Sequence, residues 1–162
     1  PRPSGRAITG DSRIASTIEA ASEYGPFDWV ITSPPYYGMR TYVPDQWLRN
    51  WFLGGPAMVD YSAEEQIAHT SPQDFTEDLA RVWLNMYKLT RRNARMVIRF
   101  GGIPDREVPP LNLIKTSLAN SGWCLSTVRD AGTASHGKRQ ADSFLTKGST
   151  ALVEYDVWVT RR

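Results

Sequence analysis

The strongest constraint on the fold of this chain is a pair of prolines that directly follows an apolar run. Residues 27–31 read Phe-Asp-Trp-Val-Ile, and residues 32–37 read Thr-Ser-Pro-Pro-Tyr-Tyr. A short apolar run of this kind is typical of a strand. Proline cannot donate a ladder hydrogen bond, and the second proline confines Pro34 to extended conformations. The sequence therefore predicts a strand over 27–32 that ends abruptly and presents Ser33 at its carboxyl end.

The loop that follows this strand carries residue types suited to activating an amine. The hydroxyl of Ser33 and the backbone carbonyl of Pro34 can each accept one N–H hydrogen bond. Two such acceptors draw an exocyclic amine, whose lone pair is delocalised, toward a nucleophilic geometry. The ring of Tyr36 offers a face on which an extruded base can stack, a contact worth roughly 1–3 kcal/mol. The alternative is an ordinary proline-rich turn with exposed tyrosines, and the combined pattern favours the functional interpretation.

The composition is that of a single globular domain. With 162 residues, of which 41% are hydrophobic, the chain can bury a core of its own. A net charge of +2 permits nucleic-acid binding without requiring it. One cysteine and two histidines without ligand spacing lead us to expect neither a disulfide nor a metal site. No run approaches the ~18 apolar residues of a membrane span, and no signal peptide is evident, so we expect a cytoplasmic location and no membrane partner.

Helix and strand signals alternate along the first two thirds of the chain. Residues 7–12 are predicted to form a short strand that ends in a Gly-Asp turn. Residues 12–22 are predicted to form a helix, with three apolar residues on one face, namely Ile14, Ile18 and Ala21. A second helix over 71–90 has a serine cap, a proline at its first position and a core stripe of Phe75, Leu79, Val82, Met86 and Leu89.

The remaining third predicts a strand, a helix and a hairpin-like ribbon. The strand covers 95–100, and the helix runs from residue 110 to about residue 121, where Gly122 stops it. Residues 123–129 and 153–160 then pair as an antiparallel ribbon, with a polar loop at its tip. Within the last strand, apolar residues alternate with a second set that we expect on the opposite face, Glu154, Asp156, Trp158 and Thr160.

Residues 38–70 show no regular pattern, and two interpretations stay open. The segment contains Trp47, Trp51 and a Gly-Gly-Pro break. A long irregular stretch in a compact domain is usually functional, so it could be a mobile cover for a target base near the active site. It could equally be a packed subdomain around the two tryptophans.

These residues together resemble the S-adenosylmethionine-dependent DNA amino-methyltransferases, especially the cytosine-N4 branch. That branch carries Ser-Pro-Pro-Tyr after its catalytic strand, whereas adenine-N6 enzymes usually carry Asp- or Asn-Pro-Pro-Tyr. Gly10-Asp11-Ser12, a helix and then the strand at 27–32 are similar to the order in these enzymes. The resemblance covers nearly the whole chain and implies an α/β, partial Rossmann-like methyltransferase fold. We therefore expect one domain over 1–162 with a mostly parallel sheet that ends in the antiparallel ribbon.

The resemblance also implies roles for particular residues. The predicted catalytic residues are Ser33, Pro34, Pro35 and Tyr36. The residues expected at the cofactor's adenosine end are Asp11 and Ser12, and S-adenosylmethionine is the expected cofactor. The residues expected to contact DNA are Tyr36, Arg40, Lys138 and Arg139.

One part of the family's pattern is missing from the sequence. The methionine-binding loop, a glycine-rich Phe-x-Gly-x-Gly turn after a strand, is not found. We therefore expect a split subunit, a fragment or a decayed relative that lacks the cofactor-loop half. Without that half, strand 27–32 would lie at a sheet edge, which a complementary half or a second copy of the chain would cover.

The function predicted from the sequence is transfer of a methyl group to the N4 amine of a flipped cytosine in DNA, within a restriction-modification setting. Three alternatives stay open. An adenine-N6 DNA methyltransferase is the first, methylation of an amide or amine in protein or RNA is the second, and a non-catalytic DNA-binding remnant is the third. The recognised DNA sequence cannot be read from the pattern, because direct readout depends on which side chains enter the major groove.

Overall fold

The computed structural model describes residues 5–38, 47–49, 51–58, 67–103, 108–133 and 153–162. The elements, in chain order, are α1 (Ala15–Ser22), β1 (Phe27–Thr32), α2 (Pro72–Leu89), β2 (Thr90–Phe100), α3 (Pro110–Leu118), β3 (Trp123–Thr133) and β4 (Val153–Arg161). Residues 47–49 and 51–52 are also helical. The described part of the chain thus alternates helix and strand up to the two final strands.

The four strands form one mixed sheet in the order β1-β2-β4-β3. β1 pairs with β2 in parallel, and β4 pairs antiparallel with both β2 and β3. The antiparallel C-terminal ribbon is confirmed, but the expectation of a mostly parallel sheet is wrong for the described strands. A parallel pair needs a long crossover such as the one through α2, whereas β4, the next described strand after β3, lies beside it in the opposite direction.

α2 is the best-defined helix, and its sequence signals act as predicted. The Ser71 hydroxyl accepts a hydrogen bond from the Asp74 amide at 3.1 Å, and Pro72 occupies the first turn. Of the predicted apolar stripe, Phe75 and Leu79 are completely buried. Trp83 also lies in the core, where its indole N–H donates to the Ser117 hydroxyl of α3 at 2.9 Å. This bond ties the two helices together and satisfies a polar atom inside the core.

The core lies between these helices and one face of the sheet. Every second residue of β2 from Ala94 to Phe100 is buried, and the same face of β4 contributes Val157 and Val159. The intervening β2 residues lie on the opposite face, where Arg95 and Arg99 are exposed and Val97 is half-buried. Burial on one face with charge on the other is the period-2 pattern of a strand packed on a single side.

The first predicted strand, at 7–12, is absent from the structure. Residues 5–9 have no regular secondary structure and residues 12–13 form a turn. The Asp11 carboxylate accepts the Arg13 amide at 2.8 Å, and the Ile14 amide donates to the Asp11 carbonyl at 3.2 Å. These local bonds compete with a strand ladder. α1 therefore begins at Ala15 rather than at residue 12. Of the three residues predicted on its apolar face, Ile18 is buried and the other two are not.

β1 lies at an edge of the described sheet, as predicted. Its Ile31 side chain is 81% exposed and Trp29 is 48% exposed. Both are opposite β2 residues of the uncovered face, with Trp29 beside Arg95 and Ile31 beside Val97. The Arg95 guanidinium lies 5.4 Å from the centre of the Trp29 ring. This edge therefore combines unpaired backbone groups with apolar side chains.

None of the helices in the described part of the chain has the length and apolar character needed to cross a membrane.

Candidate active site

The two parallel strands bring their carboxyl ends to the same edge of the sheet. Thr32, the last residue of β1, is opposite Ile98 of β2, so Ser33 lies near the level of Arg99. β2 ends at Phe100 and is followed by a pair of glycines. Ligands of open α/β sheets bind outside the carboxyl ends of parallel strands. The loop predicted to carry the chemistry is therefore at the end of the sheet where a substrate would bind.

Ser33 and Pro34 differ in exposure. Ser33 is exposed, Pro34 is buried and Pro35 is half-buried. Burial holds the proline ring in place, while its fixed φ limits movement of the backbone. Ser33 thus lies at the protein surface, and the buried ring of Pro34 holds the adjoining backbone in place. An exposed hydroxyl on a fixed backbone can accept a hydrogen bond in one orientation, while the role of the Pro34 carbonyl stays a prediction.

Tyr36 is held by contacts from two strands. Its ring lies edge-to-face against Phe100, with the centroids 5.5 Å apart and an interplanar angle of 79°. Its hydroxyl donates a hydrogen bond to the carboxylate of Glu154, which is only 5% exposed. A Cβ added at Gly101 would lie 3.3 Å from Tyr36 Cζ and 3.2 Å from Glu154 Cγ. Tyr36 thus occupies a tight site whose shape depends on a glycine.

The residues after Tyr36 anchor the far end of the loop. Tyr37 is 8% exposed, and its ring meets that of Phe75 at a centroid distance of 5.3 Å. Gly38 has a φ of 86°, a conformation that glycine adopts without steric cost, and its amide donates to His69 Nδ1 at 3.1 Å. The loop is therefore fixed at both ends, by the buried proline and by this aromatic anchor.

Asp11 and Ser12 are tied to α2. The Arg13 guanidinium contacts both carboxylate oxygens of Asp11, through Nη2 at 2.7 Å and Nε at 3.0 Å. These hydrogen bonds lower the pKa of Asp11 below its ordinary value, against the opposing effect of burial. The Ser12 carbonyl accepts from Asn85 Nδ2 at 2.9 Å. The Asp11 carboxylate is therefore part of an intramolecular ion pair, and its place at the cofactor's adenosine end stays a prediction.

A polar cluster beside Tyr36 was not foreseen from the sequence. Glu154 alternates with the apolar residues of β4 as the sequence predicts, yet it is buried, which alternation alone did not indicate. Its place in the strand adjoins an irregularity in the β3–β4 register, between Asp130 and Gly132. Nearby, Arg99 binds both oxygens of Asp156 at 2.8 Å, which lowers the pKa of that carboxyl. One sequence signal could have indicated that Glu154 is buried. It lies at the start of a strand opposite Gly132, and the alternation of buried and exposed residues is often interrupted at such positions.

Other predicted residues fall outside this geometry. Arg40, Lys138 and Arg139 lie outside the described residues, and their contact with DNA stays a prediction. Within the irregular segment, the Trp47 and Trp51 rings stack with centroids 6.4 Å apart, and Trp47 Nε1 donates to the Pro56 carbonyl at 3.1 Å. These contacts agree with local packing around the tryptophans. A role of the segment in covering a base is not tested by them.

The sheet order, the parallel pair at the site and the antiparallel ribbon define a mixed α/β fold. A structure of TTHA0409 from Thermus thermophilus, a protein assigned as a DNA modification methylase and solved in complex with S-adenosyl-L-methionine, matches with a TM-score of 0.51 and 18% identity. That match covers 94% of this chain and 54% of the other. The likeness establishes the fold of the chain.

Two further structures match with lower TM-scores. The selenomethionine derivative of TTHA0409 matches with a TM-score of 0.48 and 19% identity, covering 94% of this chain and 50% of that one. A 16S rRNA (adenine(1408)-N(1))-methyltransferase mutant from Catenulisporales acidiphilia matches with a TM-score of 0.44 and 17% identity, covering 94% and 59%. The chain thus spans between half and three fifths of the length of these structures. No protein-family model matches the sequence, and no curated protein matches it significantly.

Proposed function

We propose that this chain is the catalytic portion of a DNA methyltransferase that transfers a methyl group from S-adenosylmethionine to the exocyclic N4 amine of a flipped cytosine. The observation that carries the proposal is the placing of an exposed Ser33 on a buried Pro34 at the carboxyl end of β1, with Tyr36 fixed beside it. The methyltransferase-type fold supports the class of reaction.

The chemistry follows from the two acceptors. The Ser33 hydroxyl accepts one N–H of the target amine and the Pro34 carbonyl accepts the other. Both bonds strengthen as the nitrogen becomes tetrahedral and positively charged, so they favour the transition state over the planar ground state. When bound, S-adenosylmethionine would supply the methyl group. The nitrogen lone pair would form the new N–C bond as the bond between the methyl group and the sulfonium sulfur breaks, the donor would leave as a neutral thioether, and one amine proton would pass to water. Tyr36 supplies the surface on which the extruded base rests during this step.

Serine at this position supports cytosine as the target. The resemblance associates a hydroxyl acceptor with cytosine and a carboxylate or amide acceptor with adenine, and Ser33 provides a hydroxyl. An adenine-N6 enzyme is the alternative within the same class. The non-catalytic remnant is the alternative outside it, and it draws on the engagement of Asp11 by Arg13.

Binding of the methyl donor requires residues beyond those that the structure describes. S-adenosylmethionine supplies an electrophilic methyl group when it is bound. Because the sequence lacks the glycine-rich loop that the resemblance implies for binding the donor, we propose that a complementary segment completes the site. It would add its strand to the exposed edge of β1, whether it belongs to the same polypeptide or to another. We call this chain together with that segment the assembled enzyme.

Contact with DNA is proposed for Arg40, Lys138 and Arg139 in addition to Tyr36. Cations that bind phosphates release counterions, so each contact adds about one unit to the slope of log affinity against log salt. Neutralising both Lys138 and Arg139 should flatten that slope by about two units and weaken binding to all sequences alike.

The proposal is tested by a methyl-transfer assay with labelled S-adenosylmethionine and mixed-sequence DNA, followed by digestion and analysis of the bases. The assembled enzyme should produce N4-methylcytosine, and the chain alone should bind the donor poorly. N6-methyladenine would overturn the choice of base but keep the enzyme class. Transfer to protein or RNA in place of DNA would overturn the substrate. No transfer by the assembled enzyme would favour the non-catalytic remnant.

A further inference from the structure

We propose that Glu154 is a positioning residue that sets the Tyr36 ring for capture of the extruded base. This inference rests on the proposed function, but it assigns a role to a residue that the loop motif does not contain. Glu154 lies near the start of β4, and Tyr36 lies just beyond β1, 118 positions earlier in the chain. The bond between them therefore joins the active-site loop to a strand that is not adjacent to β1 in the sheet.

The first support is the burial of the carboxylate. Glu154 is 5% exposed, and a buried carboxylate is costly unless hydrogen bonds compensate its lost hydration. The Tyr36 hydroxyl donates to one of its oxygens. Hydrogen bonds that involve an ionised partner are stronger and more directional than neutral ones. The hydrogen bond from Tyr36 thus compensates part of the cost of burying the Glu154 side chain.

The second support is the space left by Gly101. This residue is buried between the two side chains, and a Cβ there would come within 3.4 Å of carbon atoms of both. Such distances are shorter than ordinary van der Waals contact, so a side chain at this position would press the pair apart. The glycine, the phenol and the carboxylate therefore form one packed unit at the carboxyl end of β2.

The third support is that the ring has few ways to turn. Phe100 meets it edge-to-face, and the hydroxyl is fixed at the opposite end by Glu154. An aromatic surface that is already oriented loses less conformational entropy when a base stacks on it. Without the Glu154 bond, the ring would keep its area and its packing against Phe100 and Gly101, but its orientation would be less well defined. The expected consequence is weaker capture of the base, with the acceptors at Ser33 and Pro34 intact.

The test uses photo-crosslinking in the assembled enzyme, because it reports base stacking without requiring turnover. The DNA is a mixed-sequence duplex in which 5-iodocytosine replaces cytosine, and mass spectrometry of the digested protein locates the crosslink. Wild type should crosslink at Tyr36. Glu154→Leu, which keeps the bulk without the acceptor, should reduce the yield about tenfold, whereas Glu154→Gln, which keeps an acceptor oxygen, should retain most of it. Tyr36→Phe should lose yield as Glu154→Leu does, because the ring stays while the hydroxyl is removed.

A second readout separates positioning from a general loss of structure. Melting temperature is measured for each variant, and kcat/KM is compared on duplexes in which the target cytosine is paired or mispaired. An unpaired base costs less to extrude, so the Glu154→Leu loss should be smaller on the mispaired duplex. The double variant Tyr36→Phe/Glu154→Leu should lose no more than either single one, because both act through one bond.

The outcomes are distinct for the two proposals. Crosslinking at Tyr36 without methyl transfer would remove the proposed function and leave the positioning role standing. Absence of a wild-type crosslink at Tyr36, or equal yields in wild type and Glu154→Leu, would overturn the positioning role. The positioning role would also be overturned if Glu154→Leu lowered kcat/KM equally on both duplexes and strongly lowered the melting temperature. That result would mean that Glu154 has a structural role alone.

Discussion

Arg13 Nη1 donates to Asp78 Oδ2 at 2.7 Å and thereby fastens the turn before α1 to the buried side of α2. The two side chains are 15% and 10% exposed. The same carboxylate oxygen accepts the Ala68 amide at 2.9 Å, so a single group on α2 holds two loops that are distant in sequence. Removal of the cation would leave two carboxylates, those of Asp11 and Asp78, without their main partner.

We therefore expect Arg13→Met to lower the free energy of unfolding by about 2–3 kcal/mol, somewhat less than breaking a fully buried pair costs. Urea denaturation provides the measurement. The matched control is Arg81→Met, because Arg81 contacts the same Asp78 at 3.4 Å but is 63% exposed. Its effect should stay below about 1 kcal/mol. Similar losses in both variants would contradict a special role of Arg13.

The ion pair also makes stability depend on pH in the acid range. The pKa of Asp11 is lowered mainly by hydrogen bonds from Arg13, so the folded value lies below the unfolded value of about 3.9. A carboxyl of this kind stabilises the fold above the unfolded pKa, and the contribution is lost as pH falls through the folded pKa. The wild-type advantage over Asp11→Asn should therefore be constant near neutrality and shrink below about pH 4.

Unfolding free energies measured against pH check this, and the Arg13→Met background provides the control. In that background Asp11→Asn should cost little and its effect should vary less with pH. An advantage of Asp11 that persists unchanged into strong acid would show that the carboxylate charge is not what matters.

Elements with several agreeing local signals were predictable from the sequence. α2 is the clearest, since a capping serine, a first-turn proline and an apolar stripe all pointed to the same helix. The end of β1 was equally predictable, because two prolines leave no other continuation. The position of Ser33 at the carboxyl end of a parallel strand followed directly from these two features.

Features decided by distant contacts were not predictable. β2 begins at Thr90, five residues before the predicted start, although Arg91, Arg92 and Asn93 do not resemble a strand. Asn93 has a φ of 66°, and the β1–β2 register shifts in this stretch, so pairing with β1 overrides local preference there. The burial of Glu154 depends in the same way on a tyrosine far away in sequence. By contrast, residues 7–12 had a strand pattern, and the Asp11 turn prevented the strand.

The proposed chemistry makes Ser33 sensitive to loss of its hydroxyl. Ser33→Ala in the assembled enzyme should reduce turnover by about 10²–10³-fold, the usual cost of one acceptor or donor that acts in the transition state. DNA affinity should change little, because the side chain is small and exposed. The control is Ser126→Ala, which removes an exposed hydroxyl on β3 that hydrogen-bonds to Thr160 at 2.9 Å. Turnover close to wild type in Ser33→Ala would remove this residue from the mechanism.

The last prediction concerns the open edge of the sheet. β1 has one neighbouring strand in the described structure, and its Ile31 side chain is 81% exposed beside a half-exposed Trp29. An edge of this kind, with apolar side chains and unpaired backbone groups, favours pairing with another strand, whereas a lysine on an edge strand opposes it. The purified chain should therefore associate in a concentration-dependent way, and Ile31→Lys should shift it toward the monomer.

Sedimentation velocity over a range of concentrations measures this, with Leu125→Lys as the matched control. Leu125 is 46% exposed and lies on β3, at the opposite edge of the sheet. A lysine there adds the same charge without touching β1, so association should persist. Adding the complementary segment should replace self-association with a one-to-one complex, and Ile31→Lys should weaken that complex as well. If wild type stays monomeric, or if both lysine variants dissociate equally, the edge of β1 is not the surface on which the missing strand pairs.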